Sequence, residues 1–156
     1  MDKLDRALIQ ILQRDSRTPF TKIAEELDQP DTTIHFRTKK LKEKHIVSRF
    51  TAALVPESQG YHCTAILRIE IGGHIISEVS RDRSLSFAQE LAANEEYLWI
   101  AVDKDTMTIF ALLMGFDEAD LNSRVESLRK TADVVNVVVT PVGQVVKGWE
   151  LTGWPQ

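Results

Sequence analysis

Apolar residues in the first third of the chain recur at helical spacing in three short segments. Positions 4, 8, 11 and 12 are apolar and predict a first helix over residues 2–14. A second helix is predicted over residues 20–27, where apolar residues again recur every three or four positions. Asp31 is expected to cap a third helix from Thr32 to Lys44, with Ile34 and Leu41 facing inward. Three short helices with a tight break before the third are typical of a helix-turn-helix domain.

The apolar pattern changes to an alternation after Gly60. Strands are predicted over residues 63–71, 97–102, 107–116 and 134–146, and helices over residues 77–93 and 118–130. This β-α-β-β-α-β order predicts a ferredoxin-like domain, whose four-stranded antiparallel sheet carries both helices on one face.

An α+β chain with three segments follows from these patterns. We expect a winged-type helix-turn-helix domain at residues 1–50, with an extended segment over residues 46–54 after its helices. An extended linker is expected at residues 51–60 and the ferredoxin-like domain at residues 61–156. The sheet face away from the helices should carry five apolar side chains: Ile66, Ile100, Phe110, Leu112 and Val138. Because such a face needs a cover, a homodimer is expected.

Charge is distributed unevenly along the chain, although the formal net charge is -4. Residues 1–50 contain 11 Lys and Arg against 8 Asp and Glu, whereas residues 51–156 contain 8 against 15. Six of the basic residues lie between positions 37 and 49. A charge run by itself is also typical of a solvated helix face, so its position in the third helix decides the interpretation.

Small, polar and basic residues follow one another along the third helix, as DNA recognition requires. Side chains in the first turns approach base edges, and cations further along contact phosphates. The candidate DNA-binding residues are Thr32, Thr33, His35, Phe36, Arg37, Lys39, Lys40 and Lys42. We expect the first three to read bases, Phe36 to contact a thymine methyl group, and Arg37 to serve either base or phosphate. The three lysines should supply salt-sensitive affinity for any sequence.

Four segments of the chain resemble the Lrp/AsnC family of transcription regulators, also called feast/famine regulators. They are residues 4–17, Ile23-Ala24-Glu25-Glu26-Leu27, Ile34-His35-Phe36-Arg37-Thr38-Lys39-Lys40-Leu41 and Ile46-Val47. The order of elements after residue 60 is similar to the family's amino-acid-sensing domain. The resemblance implies double-stranded DNA as partner, homodimers formed through the C-terminal sheets, further assembly into octamers, and an amino-acid effector.

Several positions depart from the family pattern. Asp28 and His45 stand where the family usually has glycine, and both are expected to adopt the left-handed conformation. Thr38 replaces an aliphatic residue of the recognition helix. The resemblance implies a ligand site at Val102, Asp103, Asp105, Thr106 and Thr140. Val102 replaces a loop glycine, and a β-branched residue hinders close approach of a ligand to the backbone.

Other classes of function find less support in the sequence. The four histidines have no zinc-ligand spacing, no phosphate-binding glycine loop is present, and no nucleophile is paired with a base, so neither a metal, a cofactor nor catalysis is expected. Two alternatives stay open: a co-assembly partner that does not read DNA, and an enzyme resembling the sirohaem decarboxylases, with His62, Arg68 and His74 as its candidates. Without a long apolar run or a leader pattern, a cytoplasmic protein with no membrane contact is expected.

Overall fold

The computed structural model describes residues 1–52, 54–72, 77–105 and 107–146, with residues 77–80 described by their backbone alone. The chain forms two compact units, Met1–Ala53 and Leu54–Gln156. Their boundary falls within the segment predicted as a linker.

The first unit consists of three helices: α1 (Lys3–Arg14), α2 (Phe20–Glu26) and α3 (Asp31–Glu43). Its buried core is formed by the predicted apolar stripes: Leu8, Leu12, Ile23, Ala24, Ile34 and Leu41. Asp2 caps α1 by accepting a hydrogen bond from the Asp5 N–H at 2.9 Å, while the Asp5 carboxylate accepts from the Asp2 N–H at 3.1 Å. Such reciprocal bonds satisfy donors that a helix start otherwise leaves unpaired.

Prolines, not side-chain caps, precede the second and third helices. Pro30 occupies the N-cap position of α3, so the helix begins at Asp31, one residue before the predicted start. The fixed φ of proline favours this entry, and the Asp31 carboxylate is left in the first turn, where the helix dipole favours a negative charge. Residues 46–52 form neither helix nor strand. The described residues of this unit therefore contain the three predicted helices but no strand of a wing.

The ends of α2 and α3 adopt the expected left-handed conformation. Asp28 has a φ of 49° and His45 a φ of 55°. Next to each, a backbone N–H reaches back to close the last turn: Gln29 to the Ala24 carbonyl at 2.9 Å, and Ile46 to the Leu41 carbonyl at 3.0 Å. Helices commonly end in this way, usually with glycine at the left-handed position.

The second unit has the predicted order of elements. It contains β1 (Cys63–Ile71), α4 (Ser77–Ala92), β2 (Tyr97–Val102), β3 (Thr108–Gly115), α5 (Glu118–Arg129) and β4 (Val134–Pro141). The strands pair antiparallel in the order β2-β3-β1-β4, which confirms the ferredoxin-like fold. The last strand ends at Pro141, short of the predicted Val146; the Val142 N–H still donates to the Thr64 carbonyl at 2.8 Å, next to Cys63, where β1 begins.

One face of the sheet packs against α4 and α5 to form the core. Its central side chains, such as Leu67, Ile109 and Leu113, are fully buried. α5 approaches β3 so closely that a Cβ atom on Gly115 would lie 2.7 Å from the Leu121 Cβ atom. A larger residue at position 115 would therefore displace the helix.

The opposite sheet face differs at one strand from the prediction. Ile66 and Val138 are exposed there, at 46% and 40%. The prediction for Ile100 is wrong, because its side chain packs against the core on the helix side of the sheet. Trp99 lies on the opposite face instead and is 51% exposed. A register shift between Tyr97 and Trp99 moves the alternation by one residue, as a bulge does.

Candidate nucleic-acid interface

Helix α3 has a buried stripe and an exposed polar surface. Ile34, Thr38 and Leu41 are buried, and the hydroxyl of Thr38 has no hydrogen-bond partner among the described residues. Each residue advances by about 100° around a helix, so the side opposite this stripe faces solvent. That outer face carries Thr32, Phe36, Lys39, Lys40 and Glu43, all of which are exposed.

Phe36 is the largest apolar side chain on the outer face, and it is 63% exposed. The Nζ atom of Lys40 lies 5.8 Å from the centre of its ring, within range of a cation-π contact. Lys39 pairs loosely with Glu43 at 3.8 Å, and both side chains are largely exposed. An exposed ion pair of this kind contributes little stability, so exchanging Glu43 for a phosphate as the partner of Lys39 costs little free energy.

On one flank of α3, His35 and Lys42 contact residues outside the helix. The His35 ring meets the Phe20 ring edge-on, with centroids 4.4 Å apart and an interplanar angle of 88°. The Nε2 atom of His35 lies 3.8 Å from Asp31. Lys42 lies over the exposed ring of Phe50, 5.7 Å from its centre. These contacts orient two of the predicted DNA-binding side chains, and Phe50 was not predicted from the sequence.

On the other flank, Arg37 is bound to the start of α1. Its Nη1 atom donates to Asp5 Oδ1 at 2.9 Å and also to the Asp2 carboxylate. Thr33, on this side of the helix, is half-buried. The predicted DNA-binding set is therefore divided in the structure, and Arg37 has partners within its own unit.

The same contacts shift the pKa values of the three charged groups. The Asp5 N–H and the Arg37 guanidinium lower the pKa of Asp2. At Asp5, burial acts in the opposite direction, but the hydrogen bond from Arg37 keeps its pKa lowered. The two carboxylates raise the pKa of Arg37. All three groups are therefore charged at neutral pH.

A cleft of about 310 Å³ lies beside this ion-pair cluster. Its lining includes Asp2, Asp5 and Arg37 together with Lys40, Lys44 and Ile46. Lysines, acidic residues and an arginine thus share one surface between the start of α1 and the end of α3. The positive charge that this surface can offer to a phosphate depends on which of its cations are paired with a carboxylate.

The four candidate ligand residues that the structure describes are not gathered in one site within the chain. Val102, on β2, packs against the helix-side core. Asp103 closes the β2–β3 turn, its Oδ1 atom accepting from the Met107 N–H at 3.0 Å and the Thr108 N–H at 3.3 Å. Thr140 is exposed on β4, at the opposite edge of the sheet, while Thr106 lies outside the described residues. Asp105 is exposed next to this turn.

Of the residues considered for a tetrapyrrole enzyme, the structure describes His62 and Arg68. Arg68 pairs with Glu70 at 2.8 Å on the open sheet face, and His62 is exposed. His74 lies outside the described residues. Within the described ranges, no group of three or more His, Cys, Asp or Glu side chains is arranged to hold a metal ion. Nor does any helix in that part of the chain have the length and apolarity to cross a membrane.

The sequence of the chain is similar to those of known helix-turn-helix regulators. The sequence model of the AsnC-type helix-turn-helix domain matches residues 1–42. An uncharacterized HTH-type transcriptional regulator of Pyrococcus abyssi is 30% identical over 155 residues, which cover 99% of this chain and 94% of the relative. A similar regulator of Pyrococcus furiosus is 28% identical over 156 residues, with the same coverage.

Solved structures of known regulators share this fold over most of the chain. A transcriptional regulatory protein of Pyrococcus furiosus, a member of the AsnC family, superimposes with a TM-score of 0.85 at 27% identity, covering 98% of this chain and 96% of its own. A Neisseria meningitidis regulator solved as a complex with L-Met has the same fold, with a TM-score of 0.82 at 21% identity, covering 95% and 93%. The protein is a helix-turn-helix transcriptional regulator. It belongs to the Lrp/AsnC family.

Proposed function

We propose that the chain regulates transcription by reading promoter DNA as a dimer, with α3 in the major groove and no catalytic step. One observation carries the proposal: the outer face of α3 combines a polar first turn, an exposed aromatic ring and two lysines, while its inner face is fixed by the core. Base edges, thymine methyl groups and phosphates are the complements of these three kinds of side chain.

The division of roles follows the position of each side chain. Thr32 and Phe36 face outward in the first turns, where base edges are reached, and His35 lies beside them. Lys39, Lys40 and Lys42 supply sequence-independent affinity. Thr33 and Arg37 lie at the side of the helix, where Arg37 is bound to Asp2 and Asp5, so a DNA contact from Arg37 requires that it leave these carboxylates.

The open face of the ferredoxin-like sheet supports the proposed homodimer. Trp99, Ile66 and Val138 are exposed on this face, with Leu112 of β3 between Trp99 and Ile66, and covering an apolar face of this kind is favourable. A two-fold dimer would present two copies of α3 to two half-sites. Further assembly into octamers is part of the same proposal, and the expected place of action is the cytoplasm, together with the DNA.

Modulation by an amino acid or a related small molecule is the second part of the proposal. It is supported by the fold shared with the Neisseria protein that was solved with L-Met. Val102 packs against the core, and the Asp103 carboxylate already accepts hydrogen bonds from the backbone of the β2–β3 turn. Both restrict how a ligand would approach this turn within one chain. Thr140 would reach such a ligand only from a second copy of the chain.

Selection of bound fragments from a random DNA pool, with and without each amino acid, tests these statements. We expect enrichment of a pseudo-palindrome whose half-sites are about 10 base pairs apart or a multiple of that. Enrichment of a single unpaired site would contradict dimeric reading, and no enrichment would favour a co-assembly partner. A response to an added amino acid would support sensing.

Substitutions on α3 test the assignment of roles. Lys39→Ala with Lys40→Ala should weaken binding to all sequences and flatten the salt dependence, whereas Thr32→Ala should change sequence preference. Lys104→Ala with Lys130→Ala removes the same charge from the second unit and serves as the matched control. Equal effects of the two lysine pairs would contradict the proposed interface.

A further inference from the structure

Arg37 differs from the other cations of α3 in being bound to another helix. Its side chain is 29% exposed, against 77% for Lys39. One nitrogen, Nη1, makes both bonds to Asp2 and Asp5, while Nε and Nη2 have no hydrogen-bond partner among the described residues. The Nε and Nη2 groups of Arg37 can therefore still donate hydrogen bonds to a phosphate.

The two carboxylates that contact Arg37 oppose phosphate binding at this flank. Two carboxylates contact one guanidinium, so these three groups together carry one net negative charge, whereas the cleft beside them is also lined by Lys40 and Lys44. At physiological salt the screening length is about 8 Å, so a phosphate beside this flank experiences both acids. Lys40 lies in the same cleft, and its attraction for phosphate is reduced by the same carboxylates.

We propose that Asp2 and Asp5 restrain DNA affinity by holding the Arg37 charge against α1, away from the phosphate backbone. The proposal rests on the proposed function and adds a regulatory element to the same interface. Weakening either carboxylate releases Arg37, which lies next to Phe36 in sequence and beside Lys40 in the cleft, to contact one phosphate.

Salt-dependent binding of the full-length protein to a random-sequence duplex tests the proposal, since it isolates the electrostatic contribution. Asp2→Asn and Asp5→Asn should each tighten binding by about three- to tenfold at low salt, and steepen the slope of log K against log salt by about 0.9 per phosphate gained. Asparagine at position 2 keeps the helix cap. Asp5→Asn leaves the Asp2 side chain intact, so it serves if the first variant does not fold.

Two controls separate release of Arg37 from a general change of charge. In an Arg37→Gln background, neither asparagine substitution should steepen the slope. Asp15→Asn removes an equivalent charge at an exposed residue whose carboxylate accepts from the Arg17 N–H, and it should leave the slope unchanged.

The remaining outcomes distinguish the two proposals. Unchanged slopes, or weaker binding, in Asp2→Asn and Asp5→Asn would overturn the restraint while leaving DNA binding intact. Steepening that persists without Arg37 would also overturn it, because the effect would then be general repulsion. If neither the unmodified protein nor any variant bound DNA, the proposed function would fail and the restraint with it.

Discussion

The ring of His35 meets the ring of Phe20 edge-on at 4.4 Å, so a residue predicted to read bases is oriented by the helix before it. An edge-to-face pair contributes about 1 kcal/mol beyond the area it buries. Phe20→Leu should therefore lower the free energy of unfolding by about 1 kcal/mol, as measured by urea denaturation. Selected DNA should lose more affinity than random DNA, because His35 becomes mobile. Equal losses on both DNAs would show that the contact serves only stability.

Phe36 offers a direct test of thymine recognition. If its ring covers a thymine methyl group, replacing that thymine by uracil removes about 0.8 kcal/mol, or roughly a fourfold loss of affinity per site. Binding of the selected sequence and its uracil-substituted copies can be compared by fluorescence anisotropy. In the Phe36→Ala variant the uracil penalty should disappear. A penalty that survives this substitution would assign methyl recognition to another residue.

The left-handed conformation of Asp28 predicts a stabilising substitution. An L-residue there costs about 1–2 kcal/mol, and glycine avoids that cost but loses about 0.5–1 kcal/mol of chain entropy. Asp28→Gly should thus raise the free energy of unfolding by about 0.5 kcal/mol, seen as a higher Tm. Asp15→Gly is the matched control because Asp15 has an extended φ of -148°, and it should lower the Tm. A lower Tm for both would contradict the strain at position 28.

The open sheet face predicts how the dimer can be dissociated. Ile66→Asp would place a charge among Trp99, Leu112 and Val138, and burying an unpaired charge is strongly unfavourable. Sedimentation should show monomers, with affinity for paired half-sites reduced to that for a single half-site. Leu85→Asp adds the same charge on α4, away from this face, and should leave the dimer intact. An Ile66→Asp dimer would place the interface elsewhere.

The ion pair on α5 predicts a response to acid. Hydrogen bonds from Arg124 and from the Phe116 N–H lower the pKa of the Asp120 carboxyl. The stability that this group provides is therefore present above its unfolded pKa, about 3.9, and is lost as the pH falls through the lower folded value. Asp120→Asn should flatten the decline of the unfolding free energy below about pH 5. Glu118→Gln removes one charge from the same helix as the control, and an equal effect of both would contradict a specific role for Asp120.

The elements and their order follow from the pattern of apolar residues along the chain. Apolar spacing specified the three helices and the β-α-β-β-α-β order, because each period matches only one regular structure. The left-handed conformations of Asp28 and His45 were expected from the resemblance to the family, and both residues have a positive φ. The outer face of α3 followed from Ile34 and Leu41, which fix its inward side.

Contacts between side chains that are distant in sequence depend on how the elements pack. Arg37 was predicted as a DNA contact, but its pairing with Asp5 joins residues 32 positions apart and cannot be inferred from local spacing. Trp99 was missed because a bulge shifts the alternation of β2 by one residue, an event that depends on pairing with β3. Local patterns determine elements because backbone periodicity is local, whereas ion pairs and strand register depend on distances that exist only after the elements have packed.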